Sequence, residues 1–160
     1  MKATLILLLY VTFLQAFDPT DLKQLKTEKD CQLCDLSGAD LSGLDLSRAD
    51  LSEANLSKAT LVRTNFHRTN LSNTDLTDAN LSHADIKGAK FVQSLMIRTD
   101  LSNTHAWAAN FREAKIERCN FNGAQLGGAK FEKSDLGNST FKNALLWKVI
   151  YEDVTGKPKE

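Results

Sequence analysis

Three cysteines, three histidines and two tryptophans are the residues of this 160-residue chain best equipped for chemistry. Cys31 and Cys34 make a Cys-x-x-Cys pair, a spacing open to three uses. It can close a disulfide in an oxidising compartment, pack as two small apolar thiols, or serve redox or zinc chemistry. Structural zinc takes four ligands, one such pair supplies two, and Cys119 stands far along the chain. His67 and His105 share no evident third ligand. Ser37, Ser42, Ser47, Ser52 and Ser57 recur every fifth residue without a histidine and acid beside them. They read as turn and solubility residues rather than nucleophiles. The expectation is a non-enzyme with no catalytic set, no metal and no cofactor.

Bulk composition points the same way. Charged residues are 25% of the chain and cancel to a net charge of zero, so neither nucleic acid nor an anionic membrane is an obligatory partner. The N-terminus is a separate matter. Lys2 precedes an unrelieved apolar run from Ala3 to Leu14, too short to span a bilayer comfortably and suited to the h-region of a secretory signal peptide. Cleavage is expected after Ala16, although Leu14 fits poorly three residues before the cut. A buried N-terminal helix and an uncleaved anchor are the alternatives. Export places the protein in the periplasm or outside the cell, or in the thylakoid lumen of a photosynthetic source, with no membrane span once the signal is removed.

The elements that must position these side chains follow from one period. Every fifth residue from Leu36 to Tyr151 is large and apolar, Ala106 excepted, and the residue two places earlier is mostly Ala, Cys, Ser or Thr, with Leu44 and Val149 the large exceptions. A period of five would smear these residues around every face of a helix or a plain strand. It suits a solenoid, in which each pentapeptide is one side of a coil. The large residue fills the shaft and the small one lets the backbone turn the corner. Four sides make a twenty-residue coil, and about six coils stacked at the strand spacing give a rod on the order of 30 Å long. Inward hydroxyls such as Thr64, Thr69, Thr74, Ser134 and Ser139 need partners in the corner backbone.

Segments such as Ala39-Asp40-Leu41-Ser42-Gly43, Ala54-Asn55-Leu56-Ser57-Lys58, Ala79-Asn80-Leu81-Ser82-His83 and Ala129-Lys130-Phe131-Glu132-Lys133 resemble the pentapeptide-repeat proteins. The resemblance implies an all-β, right-handed quadrilateral β-helix. It does not imply one function. Some family members protect or inhibit type II topoisomerases as acidic, DNA-like rods, usually dimeric through the C-terminal end. That role needs a strong negative field. Here Asp40, Asp45, Asp50, Asp75, Asp85 and Asp100 have basic neighbours.

In twenty-residue coils, residues twenty apart stack. One side then carries His67, Lys87, Trp107, Gly127 and Trp147 in one column and Gly128 and Lys148 in the next. Two coils, about 9.6 Å, would separate Trp107 from Trp147 over a notch floored by Gly127 and Gly128. A flat ligand or a partner side chain could enter it. Lys87 is placed for a cation–π contact with Trp107, and His105, stacked on Asp85, for an ion pair with it. In a plainer alternative Trp147 belongs to the cap and Trp107 folds down over the shortfall at Ala106.

A stacked rod needs capped ends. Asp18 is a fitting N-cap with Pro19 at the first helical position, so 17–30 is expected to hold a short capping helix whose Leu22 and Leu25 lie over the first coil. The β-helix is assigned to 31–151 and a frayed tail to 152–160, with 1–16 the signal peptide. Leu145 and Ile150 are apolar at outward positions, and they either cover the last coil or form a homodimer contact. The leading functional expectation is an exported, non-enzymatic scaffold that binds a protein partner and no nucleic acid. A topoisomerase-directed DNA mimic and a small-ligand binder at the tryptophan notch are the alternatives.

Overall fold

The computed structural model describes residues 17–156; the expected signal peptide, 1–16, and residues 157–160 lie outside them. Each pentapeptide runs into a tight corner. The Ala39 N–H donates to the Leu36 carbonyl at 3.1 Å, and Gly38 between them has φ 68°. A β-turn with positive φ at its third residue is of type II. Most such positions carry a side chain, Asn73, Asn103, Asn138 and Asn143 among them. Asparagine tolerates this left-handed backbone better than most residues.

The recurrent Asp or Asn just before each central residue has a local job. The Asp40 carboxylate accepts the Ser42 N–H at 3.0 Å, and Asn55 Oδ1 accepts the Ser57 N–H at 3.1 Å, an Asx turn that leads into the corner. Successive coils then share these groups. Asn65 Nδ2 donates to Asp45 Oδ1, and Asn120 Nδ2 to Asp100 Oδ1, each at 3.0 Å.

Between corners the chain pairs in parallel with the residue twenty further on. The rungs Asp30–Asp50–Asn70–Lys90–Asn110–Lys130–Ile150 climb six coils. Only where β1 (Leu95–Ile97) meets β2 (Lys115–Glu117) does the pairing lengthen into short strands. Four such sides close each coil, and the whole is a right-handed quadrilateral β-helix. Pairing runs on to Asp135–Thr155, four residues beyond the end at 151 expected for the β-helix.

The shaft is filled as the period requires. The central residues from Leu36 to Leu136 are buried, as are the corner alanines from Ala39 to Ala129 and Cys31, Cys34 and Cys119. In the C-terminal half much of the fill is aromatic. Phe91, Phe111, Phe131 and Tyr151 stack at 5.0, 4.8 and 5.8 Å between ring centroids. Phe121 and Phe141 form a second stack at 4.8 Å, and it meets the first edge-on. Each buried serine or threonine hydroxyl finds a backbone carbonyl. Thr64, Thr69, Thr74 and Thr99 donate to Leu41, Leu46, Leu51 and Leu76 of the preceding coil, and Ser94, Thr104 and Ser134 donate within their own corner.

The ends differ. Helix α1 (Pro19–Glu28) is capped by Asp18, whose side chain accepts the Thr20 N–H at 2.8 Å, and it buries Leu25 against the first coil. Asp21 accepts the Asp35 N–H at 2.7 Å, replacing the rung that a preceding coil would supply. At the other end Leu145, Leu146, Trp147 and Ile150 are exposed, and no described residue covers them.

Candidate interaction surface

One side of the rod concentrates the sequence-predicted residues. Its ladder runs Asp45–Asn65–Asp85–His105–Gln125–Leu145, and Leu46, Phe66, Ile86, Ala106 and Leu126 are buried beneath it. His67 and Lys87 are half-buried, and His105, Trp107, Trp147 and Lys148 are exposed.

The open notch expected between Trp107 and Trp147 does not form. Trp107 leans along the rod onto Gly127, where a Cβ would collide with its indole ring. Its Nε1 donates to Gln125 Oε1 at 3.2 Å. The two indoles approach to 6.2 Å between centroids, tilted by 55°, rather than standing two coils apart. The two glycines have different uses. Gly127 makes room for the ring, while Gly128, at φ 65° with open space beyond it, serves the turn. Trp107 folds down along the rod, and the contact it makes there is with Gly127. Ala106 is fully buried.

The charges on this side pair differently from expectation. Lys87 reaches Asp85 at 3.6 Å, so the cation over an indole is Lys148, 4.3 Å from the Trp147 ring centroid. Asp85 therefore pairs with Lys87 and not with His105. Near the N-terminal end Lys29 reaches Asp45 at 3.3 Å. Bonds from the Ser47 side chain and N–H, assisted by Lys29, hold the Asp45 carboxyl at about 2. Ser42 lowers Asp40 in the same way, first through its hydroxyl and then its amide. These carboxylates are engaged by their own turns.

The cysteines separate into two environments. The Cys31 and Cys34 sulfurs lie 2.11 Å apart, at disulfide distance, across the first corner. Cys119 is buried, its Sγ 2.9 Å from the Met96 carbonyl oxygen, and burial pushes its thiol up to about 11.

The sequence matches the family model for the pentapeptide repeat region over residues 64–141 and the model for pentapeptide repeats over residues 30–68. The chain belongs to the pentapeptide-repeat family. Pentapeptide-repeat structures of the plasmid-mediated fluoroquinolone resistance protein QnrB1 are similar to it in two trypsin-treated, singly substituted forms. One form is 23% identical over 76% of this chain and 78% of that chain, with a TM-score of 0.60. The other is 25% identical over 76% of each, with a TM-score of 0.59. Rfr23 from the cyanobacterium Cyanothece 51142 is 21% identical over 86% of this chain and 98% of that chain, with a TM-score of 0.43. No curated protein sequence matches the chain. What these likenesses establish is the fold.

Pentapeptide-repeat rods generally act as structural or interaction modules, and the shape here suits that. A hollow between α1 and the first coil, lined by Leu25, Lys29, Leu44 and Asp45, holds about 80 Å³, against the roughly 300 Å³ at which small-molecule sites begin. Among the described residues no three His, Cys, Asp or Glu side chains gather to hold a metal, and no helix is long and apolar enough to cross a membrane. Two features lay beyond the sequence reading. Leu146 occupies a core position yet is exposed, since no described residue covers it. Arg48, Arg63 and Arg68 carry no carboxylate partner among the described residues, and their spacing held no signal of that.

Proposed function

We propose that this pentapeptide-repeat protein is an exported, non-enzymatic rod that binds a protein partner, its first corner clamped by a Cys31–Cys34 disulfide. The observation that carries the reading is the difference between the two ends. The N-terminal end is sealed by α1, whereas Leu145, Leu146, Trp147 and Ile150 stand exposed at the other end and continue into Trp107 on one side. A contiguous apolar patch beside unpaired strand edges marks an interaction site. The test replaces Trp147 with a photo-crosslinking residue in the cell that makes the protein. The reading predicts one discrete protein adduct, lost when Ile150→Asp is added; diffuse or absent crosslinking contradicts it.

A second copy of the chain is the alternative occupant, favoured by the same open end: two such ends could cover each other. In that case the adduct has twice the chain mass and sedimentation shows a dimer. A DNA-like rod directed at a type II topoisomerase is less well supported. Asp45 and Asp85 are paired with lysines, and three arginines near them lack acidic partners among the described residues. The likeness to QnrB1 speaks for a shared fold. Inhibition of supercoiling by the purified protein would favour this third reading.

A further inference from the structure

The arginines divide by position. Arg98 clasps Asp78 through both Nε and Nη2, Arg112 faces Glu132, and Arg118 faces Glu117. Arg48, Arg63 and Arg68 are exposed, and among the described residues no carboxylate pairs with them. All three border the side that ends in the tryptophans. The two acids on its ladder are taken, Asp45 by Lys29 and Asp85 by Lys87.

The backbone locks two of these arginines into a stack. The Arg48 N–H bonds to the His67 carbonyl and the Arg68 N–H to the Lys87 carbonyl, each at 2.9 Å. Arg48 and Arg68 therefore sit one coil apart, about 4.8 Å along the rod. Gly88 leaves space for the Arg68 stem, which lies 3.5 Å from where a Cβ would stand. Like charges held directly opposite repel, and a carboxylate accepting both guanidinium forks removes that repulsion. Further along, Trp107 lies two coils and Trp147 four coils from Arg68, about 10 and 19 Å. An extended chain advances about 3.3 Å per residue, so roughly three to six residues separate a carboxylate at Arg68 from a side chain at the indoles.

We propose that this side of the rod, from Arg48, Arg63 and Arg68 to Trp107 and Trp147, is a docking track for an extended acidic protein segment whose carboxylates meet the arginines and whose apolar or aromatic residue packs on the indoles. The proposal rests on the interaction-module reading and specifies the partner's chemistry. Charge complementarity selects the occupant. The whole chain is neutral, so the local excess of cations is a property of this side. The indoles supply a stacking face beside Lys148.

The test uses the full chain and a fluorescein-labelled peptide of about ten residues, with glutamates in its first half and a phenylalanine in its second. Fluorescence anisotropy should show saturable binding that weakens with salt. Binding should fall at least about tenfold, two charge-assisted contacts being lost, in Arg48→Asn/Arg68→Asn. Asparagine occupies this same turn position at Asn73 and Asn103, so the variant keeps the fold, and circular dichroism verifies that. Glutamine in place of glutamate should abolish binding, and Trp107→Ala should weaken it several-fold. Equal binding of the glutamine peptide, no binding of the acidic peptide at low salt, or tighter binding of a single-stranded oligonucleotide overturns the proposal. If the peptide fails while the Trp147 crosslink still yields its discrete adduct, the module reading stands and only the acidic partner is lost.

Discussion

The indole of Trp107 rests on Gly127, one coil further along the rod, and from there reaches Trp147 at 6.2 Å between ring centroids. The absence of a side chain at one position thus joins two aromatic rings that would otherwise stand about 9.6 Å apart. Gly127→Ala should therefore swing Trp107 outward. Because the ring is the movable end of its side chain, the stability cost should fall at the low end of the about 1–3 kcal/mol typical of overpacking. Tryptophan emission should shift to the red, which steady-state fluorescence reads directly. Unchanged emission contradicts the contact.

Phe111 is an inner ring of the longer aromatic stack, between Phe91 and Phe131, and it is fully buried. Phe111→Ala removes both neighbours' stacking partner and leaves a void, at a cost of about 3–5 kcal/mol. Urea unfolding should show the midpoint fall by a corresponding amount. Phe141 is only partly buried near the open end, so Phe141→Ala should cost distinctly less.

The turn carboxylates set the acid limit. Asp45 lies near 2 because its turn serine, followed by Lys29, stabilises the charged form. Asp40 is lowered by Ser42 and Asp78 by Arg98. In Asp50 burial opposes ionisation, and the bonds from Ser52 and Asn70 outweigh it. A carboxylate whose folded pKa lies below its unfolded value, about 3.9, stabilises the fold above that value and loses the contribution as pH falls through the folded pKa. Thermal midpoints should hold near neutrality and drop between about pH 4 and 2. Asp45→Asn keeps an acceptor for the turn, as Asn65 does one coil on, and should flatten part of that slope.

Much of this fold was legible because one period governs it. A large residue at every fifth place and a small one two before it allow only a few arrangements, and the buried residues from Leu36 to Leu136 follow that register. The helix cap was equally readable, since Asp18-Pro19 is a local signal. The interaction side was legible only as a set of columns. Twenty-residue stacking brings Trp107, Gly127 and Trp147 together, but it does not say which way an indole leans. Nor does it decide that Asp85 takes Lys87 rather than His105, a choice between side-chain rotamers. That Arg48, Arg63 and Arg68 have no carboxylate partner among the described residues was hidden for the same reason: pairing depends on the reach of neighbouring side chains, and the repeat constrains only the backbone.

Export and the first-corner clamp separate an extracytoplasmic interaction rod from a topoisomerase-directed one, and a single intact-mass measurement on protein purified from its native cell fraction tests both. The expected product is an exported chain beginning at Phe17, lighter by the two hydrogens that a Cys31–Cys34 disulfide removes, with Cys119 unreactive to thiol reagents until unfolding because it is buried and burial pushes its thiol up to about 11. A cytosolic protein of the full 17.7 kDa, with Met1 intact and all three thiols reduced, would contradict it.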